Sequence, residues 1–338
     1  MINTSPCYFT AREDGQYVVS YEITNTCNMN CQHCMNRSGK DAFSGMDSDA
    51  IKKLFKELYM AGIRYLYISG GEPLVHPEID TVLEYAHDLG FQMMLATNGL
   101  EVEKHLDTIE RCVGDVSISL DGIGETHDDF RGTPGAFENV MKAISLLRER
   151  GVYTRISTCL WRGNISQLEE IIELADTLGL GKVNLSILVP TGRALENEVQ
   201  LEWCEYPDLI KRIDRLQEKY SGSGHIDVVL RRKSPLSSDS IDCIGGTSIF
   251  HINAHGRISP CSWCSKADTE DRFSIQWRPG NLGECIEKVK GISSLLTERK
   301  NRYGYTGCPA IALFQNGSFE AEDPINVMLG GNIDEIGK

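Results

Sequence analysis

No apolar run in these 338 residues approaches the length of a membrane span, and the start Met-Ile-Asn-Thr-Ser-Pro lacks a basic-then-apolar signal pattern. Neither insertion nor secretion is expected, and the chain reads as cytoplasmic. Basic residues are in deficit: 34 Lys and Arg stand against 48 Asp and Glu, so the formal charge is 34 − 48 = −14. A polyanion binder needs a basic surface, so nucleic acid is not an expected partner and the charge reads as a solvated acidic surface. There is no low-complexity segment, and no internal repeat beyond an alternation of strands and helices. The apolar share of 41% suffices for one large domain plus a smaller one.

Cysteine, by contrast, is plentiful, with 12 in the chain. Dense cysteine belongs to short secreted scaffolds, whereas clustered cysteine in a long chain more often binds metal. One group is Cys27, Cys31 and Cys34; the other is Cys243, Cys261 and Cys264 with Cys285 and Cys308. Cys7, Cys112, Cys159 and Cys204 stand singly and read as small buried hydrophobes.

Strands are expected over 17–24, 65–69, 92–97, 116–120, 154–160 and 182–188. The first helix places Ile51, Leu54, Phe55 and Leu58 at i, i+3, i+4 and i+7, opened by Asp47 or Ser48 as a cap. Further helices are expected near 79–89, 102–112, 135–150, 165–178 and 203–220. This alternation implies right-handed βαβ units and a parallel sheet. A partial (β/α)6 barrel and an open doubly wound sheet both fit. After Pro190 the alternation ends, and Ser221-Gly-Ser-Gly reads as a turn or linker. The boundary falls between about 190 and 235.

The run Thr-Cys27-Asn-Met-Asn-Cys31-Gln-His-Cys34 follows the first expected strand. Loops at the C-terminal ends of parallel strands face the side where α/β folds place their active sites. Three thiolates so close in sequence can hold three corners of a cubic iron–sulfur cluster, and with no fourth cysteine nearby one iron stays open to a small molecule. The alternative is structural zinc with His33 as fourth ligand, but adjacent His33 and Cys34 suit one tetrahedral ion poorly.

This motif resembles that of the radical S-adenosylmethionine (SAM) enzymes, and further segments match in order. Ser69-Gly70-Gly71-Glu72-Pro73 follows the second strand and resembles the segment with which that family holds the SAM amino group. A Gly-Gly turn admits close backbone approach, and Glu72 offers a carboxylate to an ammonium. Thr97-Asn98-Gly99 resembles the family's third-strand end. Ser119-Leu-Asp121-Gly, His127-Asp and Arg131-Gly resemble the region serving the SAM ribose and carboxylate in the branch with a C-terminal auxiliary-cluster domain. Pro190-Thr-Gly-Arg193-Ala also fits that branch. The resemblance thus implies that Cys27, Cys31 and Cys34 bind a [4Fe–4S] cluster. It further implies that Gly70, Gly71, Glu72, Pro73, Asn98, Ser119, Asp121 and Arg131 attend SAM.

It resumes at Cys243-Ile-Gly-Gly, Gly256 with Cys261, Gly307-Cys308-Pro309 and Asp323-Pro324, which look like the branch's SPASM or twitch domain. Leu295, Glu298 and Gly304 stand about where the fuller SPASM pattern has cysteines, and no cysteine follows Asp323-Pro324. One auxiliary cluster, a [4Fe–4S] cluster by preference, is therefore expected on Cys243, Cys261, Cys308 and a fourth ligand. Cys264 is the first choice and Cys285 the second; zinc on the four is the competing reading. The fold implied is an α/β partial (β/α)6 TIM-like barrel over 1–195, a linker and helix over 196–240, a small twitch/SPASM-like auxiliary-cluster domain over 241–325, and a tail over 326–338.

By the same resemblance, reduced cluster and SAM yield a 5′-deoxyadenosyl radical that abstracts hydrogen from an unreactive carbon. Electron loss to the auxiliary cluster gives oxidation or cross-linking; hydrogen return from a thiol such as Cys204 or Cys285 gives epimerisation. The leading expectation is oxidative modification of a ribosomally made peptide. The alternative is a dehydrogenase or epimerase of a small molecule such as an amino sugar. Only 26 residues precede Cys27, too few for a fused leader-binding domain, so a separate protein is expected to supply one unless the precursor docks directly. A low-potential donor such as flavodoxin or ferredoxin is the expected electron source.

Overall fold

The computed structural model describes residues 17–221, 226–230 and 243–323. Cys7, most of the expected turn after Ser221, Pro324 and the tail lie outside these residues. The chain divides into two compact units. The larger comprises residues 21–56 and 65–230, and the described part of the smaller comprises 17–20, 57–64 and 243–323.

In the larger unit the strands β1 (Val18–Thr24), β2 (Tyr65–Gly70), β3 (Gln92–Thr97), β4 (Asp115–Ser119), β5 (Thr154–Leu160), β6 (Lys182–Ile187) and β7 (Asp227–Leu230) neighbour one another in that order. Pairing is parallel from β2 through β7. Helices α1 (Ser48–Met60), α2 (Ile79–Leu89), α3 (Leu106–Cys112), α4 (Glu125–Arg131), α5 (Ala136–Glu149), α6 (Leu168–Thr177), α7 (Ala194–Asn197) and α8 (Tyr206–Ser221) fill the connections. This is the mixed α/β architecture with a parallel sheet that the alternation implied. All six expected strands are present, and β7 adds a seventh, pairing Lys182 with Asp227 and Leu185 with Leu230.

Hydrophobic patterning accounts for the layers. Ile51, Leu54, Phe55 and Leu58 are all fully buried, so the apolar stripe of α1 is a core face. Each such burial contributes about 1.5–3 kcal/mol. Asp47 caps the helix, its Oδ1 accepting from the Ala50 amide at 2.8 Å. Ser48 instead donates its hydroxyl to Glu78 at 2.7 Å. Along β5 every second residue is buried, and Arg155, Ser157 and Cys159 share the other, less buried face. Polar residues on that face mark the side of the sheet available for chemistry.

In the smaller unit β8 (Ile249–Ile252), β9 (Arg257–Ser259) and β10 (Ile275–Gln276) form an antiparallel ribbon. Helices α9 (Ser262–Ala267), α10 (Leu282–Lys290), α11 (Ile292–Tyr303) and α12 (Pro309–Asn316) follow. Leu295 and Glu298 lie within α11 and Gly304 is its left-handed cap at φ +81°. A packed helix therefore occupies the stretch where a fuller cysteine pattern would stand. Glu57, in the last turns of α1, accepts from the Trp277 indole at 3.2 Å and the Gly280 amide at 2.7 Å, which fastens that turn into this unit. Among the described residues no helix is long and apolar enough to cross a membrane.

Candidate functional site

The loop after β1 carries Cys27, Cys31 and Cys34, the first two buried and the third half-buried. Donors aim at each sulfur. Cys27 Sγ accepts from the Met29 amide at 3.4 Å and faces Asn98 Nδ2 at 4.0 Å. Cys34 Sγ accepts from the Ser38 amide at 3.4 Å, and Cys31 Sγ lies 3.8 Å from the Arg131 guanidinium. Burial pushes the Cys27 thiol up to about 12; the Met29 amide opposes this, while Glu72 and the two neighbouring thiols add to it. Burial also raises Cys31, against the pull of Arg131. Three thiols whose thiolates would repel one another need a cation to ionise together, and N–H groups aimed at sulfur are what such ligands receive. The donor set fits a cluster bound on three thiolates.

His33 does not join them as a fourth ligand. Its ring is half-buried and stacked on Phe130, centroids 4.3 Å apart and planes within 7°, and Phe130 stacks in turn on Trp161 at 4.2 Å. Burial and the neighbouring Arg131 and Arg193 hold it neutral, well below the ordinary histidine range.

The Gly-Gly turn after β2 serves a close approach of main chain to main chain. A Cβ at Gly70 would stand 2.4 Å from the Thr24 carbonyl oxygen, and one at Gly71 2.3 Å from that of Thr26. The amides of Gly71 and Glu72 donate to the same two carbonyls, at 2.7 and 2.9 Å. Thus the turn is laid against the segment that leads into Cys27. Glu72 is buried; its carboxylate accepts from Thr97 Oγ1 at 2.7 Å, the Asn98 amide at 2.7 Å and the Leu74 amide at 3.2 Å. Burial nevertheless raises it to about 7, so in the free protein this group titrates near neutrality. Pro73 opens the short turn that follows, and its ring is buried. Asn98 joins three loops: its amide meets Glu72, its Nδ2 donates to Asn28 Oδ1 at 2.8 Å, and its Oδ1 accepts from Leu100.

At the end of β4, Ser119 is half-buried and Asp121 fully buried. Asp121 forms an ion pair with Arg131, accepts from the Cys159 amide at 2.7 Å, and donates its own amide to His127 Nδ1 at 3.0 Å. His127 is lowered to about 4, by burial first and by Arg131 second, so it remains a neutral acceptor there.

The loop after β6 clamps the cysteine loop from the other side. Arg193 donates through Nε to the Cys31 carbonyl and through a terminal nitrogen to the Ser38 carbonyl, both at 2.8 Å. Gly192, at φ +56°, lies so close that a Cβ would stand 2.4 Å from the Cys34 carbonyl oxygen. The sequence marked this segment only as a match; its role needed the fold. Thr97 was likewise marked only as part of a match, and Asn28, Phe130 and Trp161 were not singled out. Of the thiols proposed as hydrogen donors, Cys204 is exposed. Cys285 donates its thiol at 3.4 Å to Oδ1 of Asn281, the residue before its helix. Cys159, read as a structural single, stands on the less buried face of β5 with its thiol bonded to Ser186.

In the smaller unit Cys243, Cys261, Cys264 and Cys308 are all buried. Cys264 is driven well above the usual thiol range by its hydrogen bond to Cys261, by burial, and by the neighbouring Cys261, Cys243 and Cys308. Four thiols thus share one neighbourhood. Cys285 responds to Glu284 and Glu57 instead and is pushed up to about 11, mainly by burial. Backbone holds the group in place: the Gly245 amide meets Cys243 Sγ and the Cys264 amide meets Cys261 Sγ, both at 3.4 Å. The Cys308 amide donates to buried Asp323 at 2.9 Å. Arg299, fully buried, donates to the Thr306 carbonyl at 2.6 Å and fixes the approach to Cys308. Among the described residues no three His, Cys, Asp or Glu side chains close on the point a single ion would occupy.

The chain is similar to known proteins. Residues 21–178 match the Radical SAM superfamily. An AdoMet-dependent heme synthase of Methanosarcina barkeri (strain Fusaro / DSM 804) is 28% identical over 342 residues, covering 93% of this chain and 97% of that protein. The antilisterial bacteriocin subtilosin biosynthesis protein AlbA of Bacillus subtilis (strain 168) is 30% identical over 233 residues, covering 62% of this chain and 52% of its own. Among solved structures, Streptococcus suis SuiB bound to precursor peptide SuiA shares the fold at a TM-score of 0.65 with 13% identity, over 82% of this chain and 66% of that one.

Proposed function

We propose, from the premise that this chain is a radical SAM enzyme with a [4Fe–4S] cluster and SAM as cofactors, that it oxidatively modifies a ribosomally made peptide at an unreactive carbon. The observation that carries the oxidative reading is the second group of four buried thiols, Cys243, Cys261, Cys264 and Cys308. Four protein ligands saturate a cluster, and a saturated cluster accepts electrons without binding substrate. Cys27, Cys31 and Cys34 would hold the other cluster and leave one iron for SAM. Bound together, that cluster and SAM supply a 5′-deoxyadenosyl radical, the species that removes hydrogen from inert C–H bonds.

The protein's part is to bind, orient and exclude water. An arriving ammonium would draw buried Glu72, raised to about 7 in the free protein, to full ionisation. Asn98 would hold the Cys27 and Glu72 loops in register through its bonds to Asn28 and Glu72. The stacked rings of His33, Phe130 and Trp161 would keep water from one side of the cysteine loop. A flavodoxin- or ferredoxin-like donor would reduce the clusters.

A peptide is supported by the names of AlbA and of SuiB with its precursor peptide. Charge adds to this: the chain carries −14, and Arg131 and Arg155 are paired with Asp121 and Asp115. A polycarboxylate substrate would find few cations there. A second reading, a tetrapyrrole substrate, is favoured by one observation, the likeness to the heme synthase along nearly the whole chain. The test is anaerobically reconstituted protein given SAM, reductant, and either a precursor peptide encoded beside the gene or an iron porphyrin. Loss of two hydrogens from the peptide supports the proposal. A product formed only from the porphyrin moves the assignment to the second reading. A peptide of unchanged mass that gains one deuterium in heavy water indicates epimerisation. No SAM cleavage to 5′-deoxyadenosine overturns the premise.

A further inference from the structure

Arg131 is the one buried cation directed at a ligand sulfur, among the described residues, and its position is built into the backbone. It closes α4, whose last turn is pressed onto the cysteine loop. The Gln32 amide donates to the Phe130 carbonyl and the Gln32 side chain to the Asp129 carbonyl, both at 2.9 Å. Gly132 follows at φ +61°, so near the loop that a Cβ would stand 2.7 Å from the Asn30 carbonyl oxygen. From there the Arg131 side chain places one terminal nitrogen 3.8 Å from Cys31 Sγ and the other on Asp121. Asp121 is fixed in turn by the Cys159 amide, while its own amide and carbonyl are taken by His127 and by Asn164 Nδ2 at 3.0 Å.

We propose that the Asp121–Arg131 pair is a positioning device for the cluster itself: Asp121 holds the Arg131 guanidinium against the Cys31 sulfur, which raises the cluster's reduction potential. This rests on the family reading above, and it gives Arg131 a task other than the SAM ribose and carboxylate that the sequence resemblance implied. The physics is short. Reduction adds one negative charge to the cluster, and a permanent cation beside a ligand sulfur favours the more negative state. Asp121 opposes this but stands beyond the guanidinium, so the nearer cation prevails. The electron comes from an external reductant and leaves the ligand bonds unchanged.

The experiment is a redox titration of full-length reconstituted protein without SAM, followed by EPR. The relevant cluster is identified as the one whose signal changes when SAM is added. Three variants are compared: Arg131→Met, Arg131→Lys, and Asp121→Asn with Arg131→Met, the last guarding against misfolding caused by an unpaired buried carboxylate. The expected result is a lowered midpoint potential in Arg131→Met, a smaller fall in the double variant, and a near-native value in Arg131→Lys. The auxiliary cluster's potential should stay fixed in all three. An unmoved potential in folded, iron-loaded Arg131→Met or in the double variant overturns the inference while leaving the family reading intact. So does a loss of SAM affinity with no change in the SAM-free cluster, which would return Arg131 to SAM. A wild-type protein that assembles no SAM-responsive cluster overturns the family reading, and the inference with it.

Discussion

The two cysteine groups are made of the same atom but set in different surroundings. Around Cys27, Cys31 and Cys34 stand side chains from four other loops: Glu72, Asn98, Asp121 with Arg131, and Arg193. Several of their buried atoms lack a partner, among them Arg131 Nε and His33 Nδ1. Around Cys243, Cys261, Cys264 and Cys308 the contacts are mostly main-chain amides, with Asp323, Thr306 and Arg299 spent on the backbone. Side chains from distant loops thus frame the three thiols and main-chain amides frame the four, while each setting keeps a buried guanidinium nitrogen with no partner, Arg131 Nε in one and Arg299 Nη2 in the other.

That contrast is most sharply broken by deleting one cysteine from each group. Cys31→Ala should abolish SAM cleavage, whereas Cys264→Ala should keep 5′-deoxyadenosine formation and lose the substrate's oxidation; chromatography of both products decides it. Iron content should fall from about eight per chain to about four in either variant. Cys285→Ala should keep the wild-type iron content, and a loss there would reverse the choice of fourth ligand.

Smaller effects probe the frame around the first group. Gly71→Ala forces a methyl against the Thr26 carbonyl and should destabilise the protein by about 1–3 kcal/mol, read as a lower Tm. Arg193→Ala leaves the Cys31 and Ser38 carbonyls without their charged donor, for a similar loss of about 1–3 kcal/mol and faster release of iron. No matching effect on iron release should follow substitutions at Cys112, outside both groups.

A further effect concerns pH. Glu72 is raised from 4.5 to about 7, so the folded state binds the proton more tightly than the unfolded chain. Its protonated form therefore supports the fold below pH 4.5, and that support is lost as pH rises to about 7. The loss is on the order of 3 kcal/mol in cofactor-free protein. Denaturant titrations across this window should show the decline in wild type and a flatter profile in Glu72→Gln.

Much of this was legible in advance because it is local. Periodicity placed β1 to β6 and the apolar face of α1, since alternation and the i, i+3, i+4, i+7 stripe are set by neighbours in sequence. Cysteine spacing marked both groups. Other features depend on contacts between distant segments. The glycines at 70 and 71 suggested a close approach, but that Thr24 and Thr26 lie opposite is a tertiary fact. The pairing of Asp121 with Arg131 needed α4 to turn back, and a strand of Asp227 and three apolar residues gave β7 no periodicity to read. In the smaller unit the strands are only two to four residues long, below what a pattern can register.

The clamp from the loop after β6 also sets an order of events during synthesis. Arg193 grips the carbonyl of Cys31 across 162 residues of sequence. A ribosome releases those residues over about 10–30 s, during which the three thiols are exposed without their brace. Iron delivered in that interval would meet a loop not yet shaped to keep it. A cluster held on these three thiols would then be loaded late, after the strands before Arg193 have formed and the brace is in place.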